Sequence, residues 1–505
     1  MAQNNQTKFI AGIQTGYVHQ GDSISLGAGM LGGEVLRDAQ VSLPLKTLNR
    51  HGLIAGATGT GKTKTLQLIA GELSQAGVPT LLMDIKGDLS GLAQPGEENP
   101  AIQKRTELIG ASFTPRGYST EFLSLSNEKG TRLRATISEF GPLLLARILD
   151  LNSIQSGVLA AVFKYCDDNG LLLLDLKDLK KAVHFAAHEG KAELSQEYGS
   201  ISPASAGAIL RKLAALEQQG AGKFFGERSF ETDDLTRINE NGEGMISIIR
   251  LKDMTARPML FGVFMLQMLA EIFEKFPEQG DADRPRLVVF IDEAHLIFKG
   301  APKPLLEQIE MTVKLIRSKG VGIFFCTQNP TDIPRVILSQ LGLKVQHSLR
   351  AFTARDRKDV KSAAENFPDS PYYKVDSLLT EMGIGEALVT ALNEKGKPTP
   401  LAHTMLRAPS SRMGVLQNPE IEAIIAQSEI FARYNENIDR ESAYEMLSKK
   451  VEEANSLLGG GGADLASKAA DYMKSSLARQ VGSTIAREVA RGLLGVIGLG
   501  GGRRR

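Results

Sequence analysis

The stretch "HGLIAGATGTGKTKTLQLIAGELSQAG", residues 51–77, decides the fold. It matches the phosphate-binding template G-x-x-x-x-G-K-[ST] at four fixed positions, which are Gly56, Gly61, Lys62 and Thr63. The apolar letters before the match predict a buried strand, and the letters after it predict a helix. This order of strand, glycine-rich loop and helix is the context that the template requires. The stretch therefore predicts a loop that binds the phosphates of a nucleotide.

The residue types of this loop suit a phosphate group. The glycines permit backbone angles that turn successive N–H groups toward one anion, and the helix N-terminus adds its positive end. Lys62 supplies a point charge, and the hydroxyl of Thr63 supplies a ligand for Mg²⁺. The predicted nucleotide-binding residues are Gly56, Ala57, Thr58, Gly59, Thr60, Gly61, Lys62, Thr63 and Lys64.

Further apolar runs predict more buried strands, and amphipathic stretches that predict helices separate them. Buried strands that alternate with helices indicate an α/β fold, with a parallel sheet covered by helices on both faces. The runs are "VPTLLMDIKGD" (78–88), "GMISIIR" (244–250), "RLVVFIDEAH" (286–295), "GVGIFFCTQ" (320–328), "KVQHSLRA" (344–351) and "EALVTAL" (386–392).

Changes of pattern along the chain predict one core in two parts, an insertion and a tail. The insertion and the C-terminal region show helical periodicity, and the break "LLGGGGAD" precedes the tail. The predicted segments are 1–50 (short N-terminal β-rich segment), 51–130 (core, first part), 131–242 (inserted helical subdomain), 243–410 (core, second part), 411–456 (C-terminal helical region) and 457–505 (Gly-rich linker and amphipathic helical tail).

Two adjacent carboxylates end one of the predicted strands. In "RLVVFIDEAH", Asp292 can hold the water shell of Mg²⁺, and Glu293 can polarise the water that attacks a γ-phosphate. Acidic residues often end a strand without a catalytic role, but their pairing with a phosphate loop favours catalysis. A glutamate that activates water favours hydrolysis over phosphoryl transfer to a metabolite. We therefore predict that Glu293 is catalytic and that Thr63 and Asp292 bind Mg²⁺.

The strand "GVGIFFCTQ" ends in Gln328, which is predicted to sense the γ-phosphate or the attacking water at the same sheet edge. The sequence lacks the guanine-reading motif N-K-x-D and the transporter signature L-S-G-G-Q. The predicted nucleotide is therefore ATP. A group that completes the site across a subunit boundary is expected to be an arginine, and the candidates by position are Arg50, Arg250, Arg317 and Arg350.

Composition sets wider bounds on the function. The chain has 505 residues, and 59 Lys and Arg face 58 Asp and Glu, so no global basic field indicates a nucleic-acid partner. Two cysteines, Cys166 and Cys326, exclude a disulfide framework. The sequence shows neither a signal peptide nor 18 consecutive apolar residues, which favours a cytoplasmic location.

The ordered blocks of this sequence resemble a known family. "NRHGLIAGATGTGKT", "LLMDIKGD", "FIDEAHLIF", "IRSKGVGIFFCTQNPTDIPRVILSQ" and "GEALVT" follow one another, and together they resemble the HerA-like ATPases of the HerA–FtsK group, in length and layout those of the bacterial YjgR type. The resemblance covers roughly residues 20–410. It implies a RecA-like P-loop NTPase core that acts as a hexameric ring and moves double-stranded DNA.

The resemblance also implies roles for single residues. Lys62 and Thr63 fall on the phosphate and metal positions of the family, Asp292 and Glu293 on its Mg²⁺ and catalytic positions, and Gln328 on its sensor. Arg50 matches a position that reaches a neighbour's nucleotide, and Arg317 matches an arginine that completes the site. Asp84 and Asp88 match the acidic end of the second strand, for which no role is assigned.

Three functional hypotheses therefore follow. The first is a Mg²⁺-dependent ATPase that acts as a DNA helicase or translocase in a homo-oligomeric ring. The others are an ATP-gated switch or scaffold that does not move DNA, and a motor that acts on protein. Basic stretches at residues 355–361 and 210–212 could contact DNA, although a solvated helix face is the more common explanation for each.

The predicted tail helix could pack on a partner protein, associate with itself, lie on a membrane surface or dock weakly. Its polar face mixes acidic and basic residues and it lacks Trp and Phe, which favours a protein partner over a membrane. Its apolar stripe consists of Leu465, Ala469, Met473, Leu477, Val481, Ile485, Val489 and Leu493.

Overall fold

The computed structural model describes residues 2–458, apart from residues 126–127, 253–257, 281, 300–302, 437 and 439. Its centre is one twelve-stranded sheet. The strands are β1 (Ser23–Leu31), β2 (Glu34–Pro44), β3 (Gly52–Ala55), β4 (Thr80–Asp84), β5 (Thr120–Ser124), β6 (Thr131–Arg132), β7 (Ile246–Arg250), β8 (Leu287–Ile291), β9 (Val321–Thr327), β10 (Leu343–Gln346), β11 (Glu386–Thr390) and β12 (Ala402–Leu406).

Helices cover both faces of this sheet. In the described part of the chain they are α1 (Ala2–Gly16), α2 (Lys62–Gln75), α3 (Pro100–Ile109), α4 (Ile137–Ile148), α5 (Ser153–Asp168), α6 (Leu176–Ala187), α7 (Lys191–Glu197), α8 (Pro203–Gln218), α9 (Pro258–Lys275), α10 (His295–Phe298), α11 (Lys303–Ile316), α12 (Arg335–Leu338), α13 (Ala354–Ala364), α14 (Val375–Glu381), α15 (Asn418–Ala426), α16 (Phe431–Asn435) and α17 (Ala443–Leu458).

The strand order is β2-β1-β12-β11-β10-β3-β9-β8-β4-β7-β5-β6. Every neighbouring pair from β10 to β6 is parallel, whereas β11, β12, β1 and β2 extend the sheet by antiparallel pairing. Parallel strands place their carboxyl ends at one edge of a sheet. The chain segments that leave β3, β9, β8 and β4 therefore emerge side by side.

Alternate side chains of the parallel strands enter two different cores, because successive residues of a strand point to opposite faces. Leu81 and Val289 belong to the core that includes helices α4–α9 and α11, while Leu82 and Val288 belong to the core that includes α1, α2 and α15. Every residue of β3, β4, β8 and β9 is buried. These runs lack the alternation of half-exposed strands because both faces are covered, and the predicted α/β fold is confirmed.

The helices α4–α8 lie between β6 and β7, within the predicted insertion. Their apolar side chains share one continuous core with the sheet, so they form a layer on the sheet rather than a separate core. The C-terminal helix α17 packs on α6. The ammonium of Lys450 on α17 donates to Glu193 Oε2 at 3.0 Å and to the Tyr165 hydroxyl at 3.1 Å, which fixes α17 against these helices.

The N-terminal segment contains a helix and two strands. The chain begins with the helix α1, whose Phe9 and Ile13 are buried, before β1 and β2 join the edge of the central sheet. The strands β5 and β12 also lie outside the predicted strands. The predicted boundaries of the segments stay predictions. Residues 459–505, with the predicted tail stripe, lie outside the described residues.

Within the described residues, no helix combines the length and the apolar composition that crossing a membrane requires. Both cysteines are buried as free thiols, with Cys166 in one core and Cys326 in the other.

Candidate active site

The predicted phosphate loop lies at the carboxyl end of β3 and leads into α2. Gly56 adopts a φ of 153°, and a Cβ at this position would lie 2.5 Å from the Cβ of His347. Gly61 adopts a φ of 119° at the N-cap of α2. Side chains are strained at such angles, so the local sequence needs glycine at both positions to form this loop.

Neighbouring strand ends hold the loop in shape. The N–H of Ala57 donates to Ser348 O at 2.8 Å, and the N–H of Gly385 donates to Thr60 O at 3.0 Å. The guanidinium of Arg350 donates to Thr58 O at 3.3 Å. Arg350, one of the four candidate arginines, therefore supports the loop of its own chain.

The loop carries a buried cation. Lys62 is buried, and its ammonium donates to Ala57 O at 3.2 Å. Burial lowers the pKa of Lys62, and the nearby ammonium of Lys86 lowers it further, while Glu293 and Asp292 act in the opposite direction. An anion bound in the loop would therefore meet a buried ammonium whose positive charge the neighbouring carboxylates offset only in part.

Thr63 and Lys64 make different contacts. The hydroxyl of Thr63 donates to Asp88 Oδ2 at 3.3 Å, so the predicted metal ligand lies beside a carboxylate. The ammonium of Lys64 donates to Met413 O and, at 3.1 Å, to Gln67 Oε1. The side chain of Lys64 is thus engaged outside the loop.

The two predicted catalytic carboxylates follow β8, and both are buried. Burial raises the pKa of Asp292 to about 7, although Lys86 acts in the opposite direction. Glu293 has a φ of 47°, which is uncommon for a residue with a side chain. Its carboxylate forms an ion pair with Lys86, and its other oxygen lies 3.1 Å from His295 Nδ1.

The turn after β4 brings Lys86 to this position. The carboxylate of Asp84 accepts N–H bonds from Gly87 at 2.7 Å, Asp88 at 3.2 Å and Leu89 at 3.1 Å. Burial raises the pKa of Asp84 to about 6, while these N–H groups act to lower it. Asp84 therefore forms the turn, and Lys86 and Asp88 are the residues of the turn that reach the site.

The predicted sensor, Gln328, follows β9 directly and is exposed. Because β9 lies between β3 and β8, this residue leaves the sheet between the phosphate loop and the two carboxylates. The adjacent Thr327 is buried, and its hydroxyl donates to Asp332 Oδ2 at 2.8 Å.

The other three predicted arginines lie at two edges of the sheet, with Arg250 at the end of β7 opposite Asp84. Arg50 and Arg317 line one cleft at the amino edge of the sheet, since they precede β3 and β9. The strand β9 spans residues 321–327, so at roughly 3.3 Å per residue this edge is about 20 Å from the loop. At this distance, neither Arg50 nor Arg317 can reach the loop of its own chain. Arg250 forms an ion pair with Glu128 at 2.9 Å.

The residues present fit a nucleotide with Mg²⁺. Asp292 Oδ2 and Asp88 Oδ1 are buried without a hydrogen-bond partner, which leaves oxygen atoms for a cation. Within the described residues, no group of three or more His, Cys, Asp or Glu could hold a metal ion by itself. Magnesium that accompanies a nucleotide takes only one or two protein carboxylates and completes its shell with phosphates and water. The site therefore suits a metal that arrives with a nucleotide.

His347 is a residue of this site that the sequence did not indicate. It follows β10, is fully buried, and its Nε2 lies 2.8 Å from the hydroxyl of Thr65 on α2. It also lies against Gly56 and Gly61 of the loop. A single histidine inside "KVQHSLRA" gives no signal of this contact, which only the pairing of β10 with β3 creates.

Comparison with known proteins supports the fold and the family. The helicase HerA-like C-terminal family matches residues 31–464. The chain belongs to this family.

Two curated relatives come from Sulfolobus acidocaldarius. The DNA double-strand break repair helicase HerA is 21% identical over 372 residues, which cover 70% of this chain and 64% of that protein. The DNA import protein CedB is 24% identical over 355 residues, which cover 69% of this chain and 51% of that protein.

The alignments thus span less than two thirds of either relative's own length. Among solved structures, VirB4 of Thermoanaerobacter pseudethanolicus is similar with a TM-score of 0.50 and 15% identity, covering 77% of this chain and 98% of that one. The bacterial conjugative coupling protein TrwBdeltaN70 is similar with a TM-score of 0.51 and 15% identity, covering 81% and 94%. These likenesses agree with a RecA-like P-loop core.

His347 makes the stability of the loop region depend on pH. Burial, as the largest cause, lowers its pKa from 6.5 to about 4. The unfolded chain therefore binds a proton first, so stability present above pH 6.5 is lost as the pH falls toward 4, by up to about 3 kcal/mol. We expect the free energy of unfolding of His347→Gln, measured by urea titration at several pH values, to fall less steeply over this range than that of wild type. Equal slopes would contradict a neutral buried His347.

Proposed function

We propose that this chain is a Mg²⁺-dependent ATPase that works as a motor on double-stranded DNA, in a ring of several copies. One observation carries the ATPase proposal. The fold brings Lys62, Asp292 and Glu293, which lie up to 231 positions apart in the sequence, to one sheet edge around a glycine loop. Membership of the helicase HerA-like C-terminal family supports the motor.

The loop amides and Lys62 hold the β- and γ-phosphates of ATP, with the N-terminus of α2 directed at them. Thr63 and Asp292 would hold Mg²⁺. When bound there, Mg²⁺ neutralises the charge that the phosphates carry. Lys62 matches this task because its buried ammonium gains a partner when a phosphate arrives.

Glu293 acts as the general base and accepts a proton from the water that attacks the γ-phosphate. Its buried position excludes bulk water from the carboxylate, and its left-handed backbone fixes the direction in which its side chain leaves β8. Gln328, exposed at the end of β9, contacts the attacking water or the γ-phosphate as the sensor.

Arg50 and Arg317 complete the site of a neighbouring copy. Both lie at the amino edge, about 20 Å from their own loop by strand length. An arrangement in which the amino edge of one copy faces the carboxyl edge of the next is heterologous, and it forms a ring when the rotation between copies closes. The loop of each copy is then one half of a shared active site.

Two relatives support DNA as the polymer, because one is a DNA double-strand break repair helicase and the other a DNA import protein. The basic side chains of the two stretches differ in their exposure and in their contacts within the chain. The basic residues of α13, which are Arg355, Arg357, Lys358 and Lys361, are exposed. The ammonium of Lys212 instead donates to Leu149 O at 2.7 Å and caps α4, so we assign DNA contact to α13 rather than to residues 210–212.

Substitutions at Lys62 and Glu293 should separate ATP binding from turnover. Lys62→Ala is expected to lose ATP binding, whereas Glu293→Gln is expected to bind ATP and to lose turnover by about 10²- to 10⁴-fold, the usual contribution of a general base. Phosphate release and the fluorescence of a labelled ATP analogue measure the two properties. Glu107→Gln, an exposed residue of α3, is the matched control and should behave as wild type. A wild-type rate from Glu293→Gln would remove the catalytic assignment.

Mixed oligomers of two inactive variants should reveal a shared active site. Lys62→Ala and Arg317→Ala are each expected to be inactive alone. In a 1:1 mixed oligomer, purified through two different tags, about a quarter of the heterologous interfaces combine an intact loop with an intact arginine, so a similar share of the wild-type rate should return. Mixing Lys62→Ala with the double variant provides no intact interface and is the control. Mixed oligomers without recovered activity would exclude Arg317 as the completing group.

The response of the ATPase rate to DNA should identify the polymer. Double-stranded DNA is expected to increase the ATPase rate severalfold at low salt, and the increase should fade as salt rises, because phosphate contacts release counterions. Steady-state ATPase assays over a salt series, with mass photometry for subunit number, measure this. A rate that ignores DNA at low salt would favour an ATP-gated switch or scaffold, and stimulation by a protein would favour a motor that acts on protein.

A further inference from the structure

We propose that Lys86 is a positioning residue that restrains Glu293 in the nucleotide-free chain, and that hydrolysis requires the release of this ion pair. The inference rests on the proposed ATPase function and assigns a role to a residue outside the predicted site.

The first observation is the contact itself. The ammonium of Lys86 forms an ion pair with Glu293 Oε1, and His295 Nδ1 lies 3.1 Å from Glu293 Oε2. The ammonium of Lys86 therefore lies at one carboxylate oxygen and the imidazole of His295 lies near the other, and neither oxygen accepts a hydrogen bond within the described residues. An ammonium that pairs with a carboxylate oxygen takes the place at which that oxygen would accept a hydrogen bond from a water molecule. In this arrangement Glu293 cannot polarise a water molecule effectively.

The second observation is that the fold builds this contact from two neighbouring strands. Met83 of β4 lies opposite Ile291 of β8, so the residues that follow them leave the sheet together. The Asp84 carboxylate then ties the turn by accepting three backbone N–H bonds, and Gly87 turns the chain with a φ of 76°. Lys86 lies within this turn, so its position beside Glu293 is set by the backbone.

The third observation is an asymmetry of burial. The side chain of Glu293 is 6% exposed, whereas that of Lys86 is 38% exposed. The carboxylate is thus fixed in the interior, while the lysine reaches it from solvent on a flexible stem. Release of the pair therefore requires only a movement of Lys86 and leaves the position of Glu293 unchanged.

The charges around the pair explain why Lys86 stays there when the site holds no nucleotide. Burial disfavours its charge, but Asp88, Asp292 and Glu293 lie around its ammonium and attract it. Lys62 is the competing cation, and the two ammoniums repel one another. A nucleotide that draws Lys62 toward its phosphates changes this balance.

Removing the ammonium should therefore free the base. The rate of an enzyme is proportional to the fraction of molecules in the competent state. Because Lys86→Met removes the ion pair, this fraction should increase, and the basal turnover of ATP is expected to rise up to about 10-fold. The affinity for a fluorescent ATP analogue should stay within about twofold, because Lys62 and the loop amides hold the phosphates. Lys104→Met, an exposed lysine of α3, is the control and should match wild type.

A thermal cycle on the nucleotide-free protein tests the ion pair without any activity. Melting temperatures of wild type, Lys86→Met, Glu293→Gln and the double variant should be non-additive, because each single change already breaks the pair. Lys86→Arg keeps a cation at this position and should retain most of the coupling.

Two results would overturn the restraint. They are a turnover that falls or stays unchanged in Lys86→Met, and an additive thermal cycle. A fall in both turnover and ATP affinity would make Lys86 a phosphate ligand instead. Failure of the proposed function looks different, because wild type would then show no ATP turnover while the thermal cycle remained non-additive.

Discussion

The parallel pairing of β3, β9, β8 and β4 is the constraint on which the rest of the molecule depends. Each of these strands is fully buried and their carboxyl ends lie together, so the pairing gathers the phosphate loop, Gln328, the two carboxylates and Lys86 at one edge. The same pairing places Arg50 and Arg317 at the opposite edge. One geometric fact thus accounts for the site within a chain and for the need of a second chain to complete it.

The sequence predicted this part of the fold well because the strands are continuous apolar runs bounded by recognisable loops. It missed α1, whose apolar stripe consists of little more than Phe9 and Ile13 among polar residues, and β12, which is short and lies far from any motif. A helix or strand of this kind becomes visible only when its packing partner is known.

The candidate site was predictable to a similar degree and for a similar reason. Lys62, Thr63, Asp292 and Glu293 belong to motifs whose spacing within one segment is fixed. Lys86 and His347 reach the site only because neighbouring strands pair. The residues next to a single lysine or histidine in the sequence do not indicate which residue will face it across a sheet. The roles of the motif residues stay predictions that mutation must test.

The positions of the two cysteines have a practical consequence. Burial raises the pKa of Cys166 and of Cys326, so both thiols are protonated and react slowly with alkylating reagents while the chain is folded. One thiol lies in each of the two cores on either side of the sheet. The alkylation rate of each cysteine would therefore report the opening of the helical layer that covers it. No cysteine has to be introduced for this measurement.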